Sequence, residues 1–190
     1  MSNHVGVRID PRAVVEDDSN IGAGTSIWHF AHVREGSSIG ERCIVGKGAY
    51  VDVGVVIGDG CKLQNGAMVY NGVSIGDEVF VGPHAVFTND LRPRANIWDE
   101  ERLCRTEVQD GASIGANATI RCGITVGKWS MIAAGSVVTK DVLAHALMVG
   151  VPAKQVGWVT KSGERMDLSV EEGVAGGTFK HSPTGEIVEL

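Results

Sequence analysis

A large apolar residue recurs at every sixth position along most of this chain. The first block is Ile9, Val15, Ile21, Ile27, Val33, Ile39, Val45, Val51, Ile57, Leu63, Val69, Ile75, Val81 and Phe87, and the second is Val108, Ile114, Ile120, Val126, Ile132 and Val138. A helix repeats about every 3.6 residues and a half-buried strand about every 2, so neither explains the pattern. A six-residue period is typical of hexapeptide parallel β-helices. We therefore predict an all-β fold of this kind.

A second column of smaller residues supports this prediction. Side chains alternate between the two faces of a strand, so the residue two positions before each large one also points inward. Most of these positions hold Ala, Ser, Thr or Cys, and the exceptions are Val7, Val55, Val73, Val79 and Ile124. Large and small inward residues therefore alternate, as close packing in a narrow interior requires.

Three hexapeptides form one triangular coil, so residues eighteen apart stack on each other. The two blocks predict about seven coils in a domain that covers residues 1–158. The break between them predicts an inserted loop over residues 88–107. Long irregular segments in compact domains are often functional. Its residues Arg92, Arg94 and Trp98 favour an ordered loop. Residues 159–190 are a C-terminal extension, and their short alternating stretches predict a hairpin or cap, with disorder as the alternative.

Charge and composition exclude several classes of protein. The net charge of −6 argues against a nucleic-acid partner. The N-terminal residues lack the apolar core of a signal peptide, and no stretch is long enough to span a membrane, so we expect a cytoplasmic protein. The four cysteines show no CxxC spacing, and Cys43 and Cys61 occupy the small inward column. We predict buried thiols, with no disulfide and no zinc site.

Stacking in eighteen-residue coils places several polar residues at corners of the helix. Asn89 falls one coil beyond Asn71, and Tyr70 lies beside them. His84 falls on a different corner, above Gly48 and Gly66. We expect two stacked glycines below a histidine to leave a shallow depression that a ligand can enter. Near that corner, the amides of Gln64 and Asn65 suit recognition of a uracil edge or of sugar hydroxyls.

Longer motifs add a family resemblance over about residues 9–160. These motifs are IWHFAHV (27–33), KLQNGAMVY (62–70), VGPHAVFTNDLRPRA (81–95), IAAGSVV (132–138) and ALMVGVPAKQVGW (146–158). The chain resembles the left-handed β-helix acetyltransferases that act on 3-amino nucleotide sugars. The pattern is most similar to the N-acetyltransferases for UDP-2-acetamido-3-amino-2,3-dideoxy-glucuronate, which serve bacterial surface-polysaccharide (O-antigen) synthesis. The resemblance implies a left-handed helix, acetyl-CoA as cosubstrate, and a homotrimer with active sites between subunits.

The resemblance also implies roles for individual residues. It places Asn89 at the sugar amine, and His84 is a suitable base because imidazole titrates near neutrality. Relatives can carry a non-basic residue at the His84 position, so the reaction need not use a dedicated base. Tyr70, with the amides of Gln64 and Asn65, is expected to contact the substrate. Arg92 or Arg94 is expected to bind the sugar carboxylate or a phosphate.

The cosubstrate is expected to lie towards the C-terminus. The slim backbone at Ala134 and Gly135 suits the pantetheine arm, and Lys140 and Lys154 are placed to reach the phosphates of CoA. Every one of these residues also has an ordinary structural explanation. A corner histidine can be merely solvated, stacked asparagines can complete turn hydrogen bonds, and exposed Arg and Lys side chains need no ligand.

Three other functions remain open at this point. The nearest is acetylation of a dTDP-linked 3-amino-deoxysugar that lacks the carboxylate. A γ-type carbonic anhydrase is disfavoured, because no two of the six histidines have the five-residue spacing of that zinc site. The third is a non-catalytic scaffold, which the fold also permits.

Overall fold

The computed structural model describes residues 6–97 and 99–190, and it shows a parallel β-helix with three faces. The first sheet consists of β1 (Arg8–Ile9), β4 (Ser26–Ile27), β7 (Ile44–Val45), β10 (Lys62–Leu63), β13 (Phe80–Val81), β16 (Ser113–Ile114), β19 (Met131–Ile132), β21 (Ala146–Gly150) and β22 (Ala153–Trp158). The second consists of β2 (Val14–Val15), β5 (His32–Val33), β8 (Tyr50–Val51), β11 (Met68–Val69), β14 (Val86–Phe87), β17 (Thr119–Ile120) and β20 (Val137–Val138). The third consists of β3 (Asn20–Ile21), β6 (Ser38–Ile39), β9 (Val56–Ile57), β12 (Val73–Ile75), β15 (Thr106–Val108) and β18 (Thr125–Val126).

The register of the strands confirms the predicted parallel β-helix of stacked coils. His32 pairs with Tyr50 and Tyr50 with Met68, each eighteen residues further along the chain. The second sheet has seven strands, in agreement with the predicted seven coils. On the first sheet, β21 adds an eighth parallel strand and β22 folds back antiparallel to it.

Both predicted inward columns lie in the core. The large side chains of Leu63, Phe87 and Ile120 are fully buried, and only the first coil leaves its inward residues partly exposed. Cys43 and Cys61 are also fully buried, as predicted for thiols that act as small apolar residues. Each coil covers the next, so the apolar core runs the length of the helix.

The turns between sheets form three corners, each a column of stacked residues. We call the turns from the first to the second sheet corner 1, those from the second to the third corner 2, and those from the third to the first corner 3. A corner needs one residue at positive φ, which glycine adopts without strain. Several of the residues at positive φ are not glycine. At corner 1, for example, His84 has φ 57° and Asn117 has φ 56°.

The inserted loop leaves the helix at corner 2, between β14 and β15. Val86 pairs with Thr119, 33 residues later, so the loop adds fifteen residues to one coil. The predicted limits of 88–107 are wrong at the C-terminal end, because Thr106 and Glu107 pair with Val73 and Ser74 inside the third sheet. The predicted limit stops just before the large inward residue Val108, although Thr106, two positions earlier, fits the column of small inward residues. Trp98 lies outside the described residues.

The C-terminal extension packs against the last coil through Trp158. This side chain is buried, and its Nε1–H donates to the carbonyl of Ser169 at 3.0 Å. Helix α1 (Val170–Val174) follows, and its Gly173 approaches the indole so closely that a Cβ there would overlap the ring. The antiparallel strands β23 (Thr178–Lys180) and β24 (Ile187–Glu189) lie where the sequence indicates two alternating stretches. Within the described residues, no helix is long and apolar enough to cross a membrane.

Candidate active site

The imidazole of His84 lies over the turn of the preceding coil at corner 1. The His84 amide donates to the carbonyl of Asn65 at 3.0 Å, which fixes the two turns on each other. A Cβ built on Gly66 would fall about 2.5 Å from Cε1 of the ring, so only glycine leaves room for it. The space above Gly48 is open, with no atom within 4 Å of a Cβ built there. The predicted depression is therefore limited to Gly48, because His84 itself covers Gly66.

The amides predicted to bind substrate lie at the same corner. Asn65 is exposed, but its Oδ1 accepts a hydrogen bond from the Lys47 amide at 2.9 Å. This bond ties one coil to the next and leaves only the NH₂ group of Asn65 for a ligand. Gln64 is half-buried in the same turn.

The predicted pantetheine residues continue corner 1 towards the C-terminus. Gly135 has φ 70° and its amide donates to the carbonyl of Ala116, the same bond by which each turn of this corner rests on the one before. No atom lies within 4 Å of a Cβ built on Gly135, and both Ala134 and Gly135 are exposed. Bare backbone is therefore accessible along the corner that also carries His84.

Asn89 lies at corner 2, where the two ends of the inserted loop come together. We call this place the neck of the loop. The carbonyl of Asn89 accepts a hydrogen bond from the Cys104 amide at 3.0 Å, and Asp90 forms an antiparallel bridge with Leu103. Next to it, the Thr88 hydroxyl accepts from the Cys122 amide at 3.0 Å. Burial raises the pKa of the Cys122 thiol, with Cys104 close enough to add to the effect. The backbone of Asn89 is thus held from both sides.

Arg102 organises the loop beyond this neck. Its side chain is only 14% exposed and lies 3.7 Å from Asp90 and 3.3 Å from Asp99. Its NH1 donates to the carbonyl of Arg92 at 2.6 Å. Arg102 is the last residue of a short 3₁₀ helix (Glu100–Arg102), which brings it back to the start of the loop. Sequence reasoning missed this residue, because nothing in an aperiodic segment distinguishes a clamping arginine from a solvated one.

The side chains of Arg92 and Arg94 take no part in the contacts that hold Arg102. Both are exposed, and the one hydrogen bond recorded for the Arg94 guanidinium is to the adjacent Pro93 carbonyl at 2.8 Å. Lys140 is exposed at corner 2, and Lys154 is exposed on β22, opposite Val149. These cations are accessible to an anionic ligand.

Tyr70 directly follows β11 of the second sheet. It lies at the edge of a network of aromatic and charged side chains. Its ring lies 5.7 Å from that of Tyr50, whose hydroxyl donates to Asp52 at 2.9 Å. Burial, with Asp52 nearby, raises the pKa of Tyr50 despite the opposing effect of Arg34. Further along this face, His32 Nε2 and Glu16 Oε1 are 2.6 Å apart. Arg34 is surrounded by carboxylates here, so this part of the face is acidic.

Apart from Lys154, the candidate residues therefore divide into two groups within the chain. Corner 1 carries Gln64, Asn65, His84, Ala134 and Gly135, and corner 2 carries Tyr70, Asn89, Lys140 and the loop arginines. Strand β14 separates His84 from Asn89, so the structure does not bring these two together. Within residues 6–97 and 99–190, no three His, Cys, Asp or Glu side chains are placed to hold a metal ion. His4 lies outside these residues.

Comparison with known proteins identifies the repeats. Residues 18–52, 54–89 and 105–140 match the family described as bacterial transferase hexapeptide (six repeats), and together they cover more than half of the chain. The unmatched segment between the second and third blocks coincides with the loop.

Curated relatives match over shorter segments. The dTDP-3-amino-3,6-dideoxy-α-D-galactopyranose 3-N-acetyltransferase of Aneurinibacillus thermoaerophilus is 49% identical over 59 residues, which are 31% of this chain and 31% of that protein. Serine acetyltransferase 4 of Arabidopsis thaliana is 43% identical over 61 residues, 32% of this chain and 17% of that protein. The matched segments thus span a third or less of these relatives.

Solved structures share the fold over more of the chain. A variant of perosamine N-acetyltransferase from Caulobacter crescentus, in complex with CoA and GDP-perosamine, is 27% identical with a TM-score of 0.51. The alignment covers 81% of this chain and 58% of that one. The acetyltransferase domain of PglB from Neisseria gonorrhoeae, at 23% identity and a TM-score of 0.52, covers 80% and 58% and shows the same fold.

Proposed function

The chain belongs to the bacterial hexapeptide-repeat transferase family, and on that basis we propose that it is an acetyl-CoA-dependent N-acetyltransferase of a nucleotide-linked amino sugar. The observation that carries the proposal is the similarity of a hexapeptide-repeat chain to two acetyltransferases whose names specify amino sugars. One of these was solved with CoA and a nucleotide-linked sugar bound. Our preferred substrate is UDP-2-acetamido-3-amino-2,3-dideoxy-glucuronate.

The reaction needs the two substrates to be positioned and a proton to be transferred. The free amine attacks the thioester carbonyl, the new N–C bond forms, and the C–S bond breaks; the nitrogen loses one proton, and the CoA thiolate that leaves takes up one proton to become the thiol. Asn89 is proposed to orient the amine or to donate from its amide to the developing oxyanion. His84 is proposed to accept the proton that the amine loses. The accessible backbone at Ala134 and Gly135 is proposed to receive the pantetheine arm.

The separation of these residues supports a homotrimer with sites between subunits. His84 and Asn89 belong to different corners of one protomer, so a site that uses both requires corner 1 of one subunit beside corner 2 of another. In a trimer with threefold cyclic symmetry, this contact between two different surfaces occurs three times. Sedimentation velocity tests this point: a trimer is expected, and a monomer with full activity would contradict it.

The choice of sugar depends on the exposed arginines of the loop. A guanidinium binds a carboxylate through two parallel hydrogen bonds, and Arg92 and Arg94 are both available for the uronate. The alternative substrate is a dTDP-linked 3-amino-deoxysugar, which the similarity to the Aneurinibacillus protein favours. The test is to measure kcat/KM for both sugars by detecting released CoA thiol. A preference for the uronate is expected, and equal values would favour the alternative.

If the protein is instead a scaffold without activity, acetyl-CoA should not raise its unfolding temperature. A ligand that binds only the folded state raises the unfolding temperature, so acetyl-CoA at a hundred times its Kd contributes about 2.7 kcal/mol. Thermal unfolding with and without acetyl-CoA therefore separates the two functions. The absence of any shift would support the scaffold.

A further inference from the structure

A groove of about 660 Å³ runs along the third sheet beside the neck of the inserted loop. Its sides include Leu103 and Arg105 from the end of the loop and Thr125 from the next coil. Gly72 and Gly123 also line it, both at positive φ, so this part of its surface is bare backbone. The volume lies in the range of about 300–1,000 Å³ that is typical of small-molecule sites.

The groove lining carries one cation, Arg105, and two carboxylates, Glu107 and Asp141. Of its two acidic residues, Asp141 accepts the Thr125 amide at 2.8 Å, and Glu107 accepts the Gln109 side-chain amide at 3.2 Å. Arg105 is exposed, and among the described residues no carboxylate lies within 4.0 Å of its guanidinium. Arg102, three residues earlier, is in contrast fixed by two aspartates. Arg105 is therefore the groove cation that is available to a ligand.

We propose that this groove binds a phosphate group of a nucleotide-sized ligand, with Arg105 as the residue that holds it. A guanidinium matches phosphate geometry in a fork of two hydrogen bonds. Asn71 and Thr125 line the same groove and are uncharged polar residues. The position is also suitable, because the Arg105 segment joins directly to Cys104, whose amide binds the carbonyl of Asn89.

The source of the phosphate rests on the proposed function. In that reaction, the diphosphate of the sugar nucleotide and the phosphates of CoA present the same chemistry. In one ligand the diphosphate joins the nucleoside to the sugar, and in the other it joins the adenosine to the pantetheine arm, and in both the reactive group must reach Asn89. Binding measurements with separate probes distinguish these two sources.

The test is isothermal titration of the full chain with CoA and, separately, with UDP. Arg105→Gln removes the cation and keeps a polar side chain of similar length. Arg42→Gln is the matched control, because Arg42 is exposed at corner 3, on the opposite edge of the third sheet. We expect Arg105→Gln to weaken one of the two ligands about tenfold, with an unchanged unfolding temperature, and Arg42→Gln to weaken neither. The ligand affected identifies the source of the phosphate.

Two results would overturn the proposal in distinguishable ways. If wild-type protein binds CoA or UDP and Arg105→Gln binds each within twofold of wild type, the groove is not the phosphate site, while the proposed function stands. If wild-type protein binds neither ligand, both proposals fail. Should Arg105→Gln not fold, Arg105→Lys keeps the charge but loses the fork, and a loss of affinity for one ligand is again expected.

Discussion

The imidazole of His84 occupies the space that a side chain on Gly66 would need. A Cβ on Gly66 would lie about 2.5 Å from the ring, although the two residues belong to different coils. Gly48, one coil earlier on the same corner, has nearly the same φ (64° against 68°) and no neighbour within 4 Å of its Cβ position. The two glycines therefore differ in one respect only, which is contact with the candidate base.

We expect Gly66→Ala to lower turnover about tenfold and Gly48→Ala, which narrows the depression but displaces no ring, to lower it less. Both variants place Ala at positive φ, which costs about 1–2 kcal/mol, so their unfolding temperatures should fall by similar amounts. Only Gly66→Ala displaces the ring. Steady-state kinetics and thermal unfolding of both variants check this, with His84→Ala as reference. Equal turnover in Gly66→Ala and wild type would remove His84 from the reaction.

Asn89→Ala is expected to lower kcat about 10²–10³-fold while the affinity for CoA stays near normal, as for loss of an oxyanion donor. The fold should be kept, because the neck hydrogen bond uses the backbone carbonyl of Asn89 and not its amide. Asn20→Ala is the control, since Asn20 is exposed on β3 and lies outside the candidate site and the loop. Turnover equal to wild type in Asn89→Ala would contradict the assignment.

Replacement of Arg102 is expected to release the loop without unfolding the β-helix. Arg102→Gln loses contact with two aspartates and a carbonyl, all within residues 90–102. Limited proteolysis should then cleave within residues 88–105 several times faster, and KM for the sugar nucleotide should rise more than KM for acetyl-CoA. Arg94→Gln is the control for loop stability, because its guanidinium bonds only to the neighbouring carbonyl among the described contacts. Unchanged proteolysis would show that other contacts hold the loop.

Stability should fall as the pH drops below about 6.5, in part because of His145. This side chain is only 5% exposed, its Nδ1 lies 2.9 Å from the Val159 carbonyl, and burial lowers its pKa. The unfolded chain therefore binds a proton more readily than the folded one, so acidification through the unfolded pKa favours unfolding. Asp10 and Glu16, whose pKa values hydrogen bonds lower to about 2, stay ionised in this range.

The measurement is the unfolding temperature at pH 7.5 and pH 5.5 in wild type and in His145→Asn. Asparagine tolerates the positive φ of this position, which is 60°. The difference between the two pH values should be smaller in the variant. An equal difference would assign the pH dependence to other groups.

Much of the site could be placed from the sequence, because each coil repeats its neighbour. The stacking of His84 above Gly66 and Gly48, and the burial of Cys43 and Cys61, follow directly from an eighteen-residue repeat. The period failed at the edge of the loop, where Thr106 and Glu107 already belong to β15. Their pairing depends on where the aperiodic loop rejoins the β-helix, and the column of large inward residues alone does not mark that point.

The sequence by itself determined the β-helix, its corners and the residues that each corner carries, because inward packing and stacking involve only neighbouring coils. The tertiary structure alone decided the contacts of the loop. It closed the neck from Asn89 to Cys104, fixed Arg102 between two aspartates and left Arg105 beside the groove. These relationships depend on the path of an aperiodic segment and on the directions of long side chains, and no local repeat encodes either.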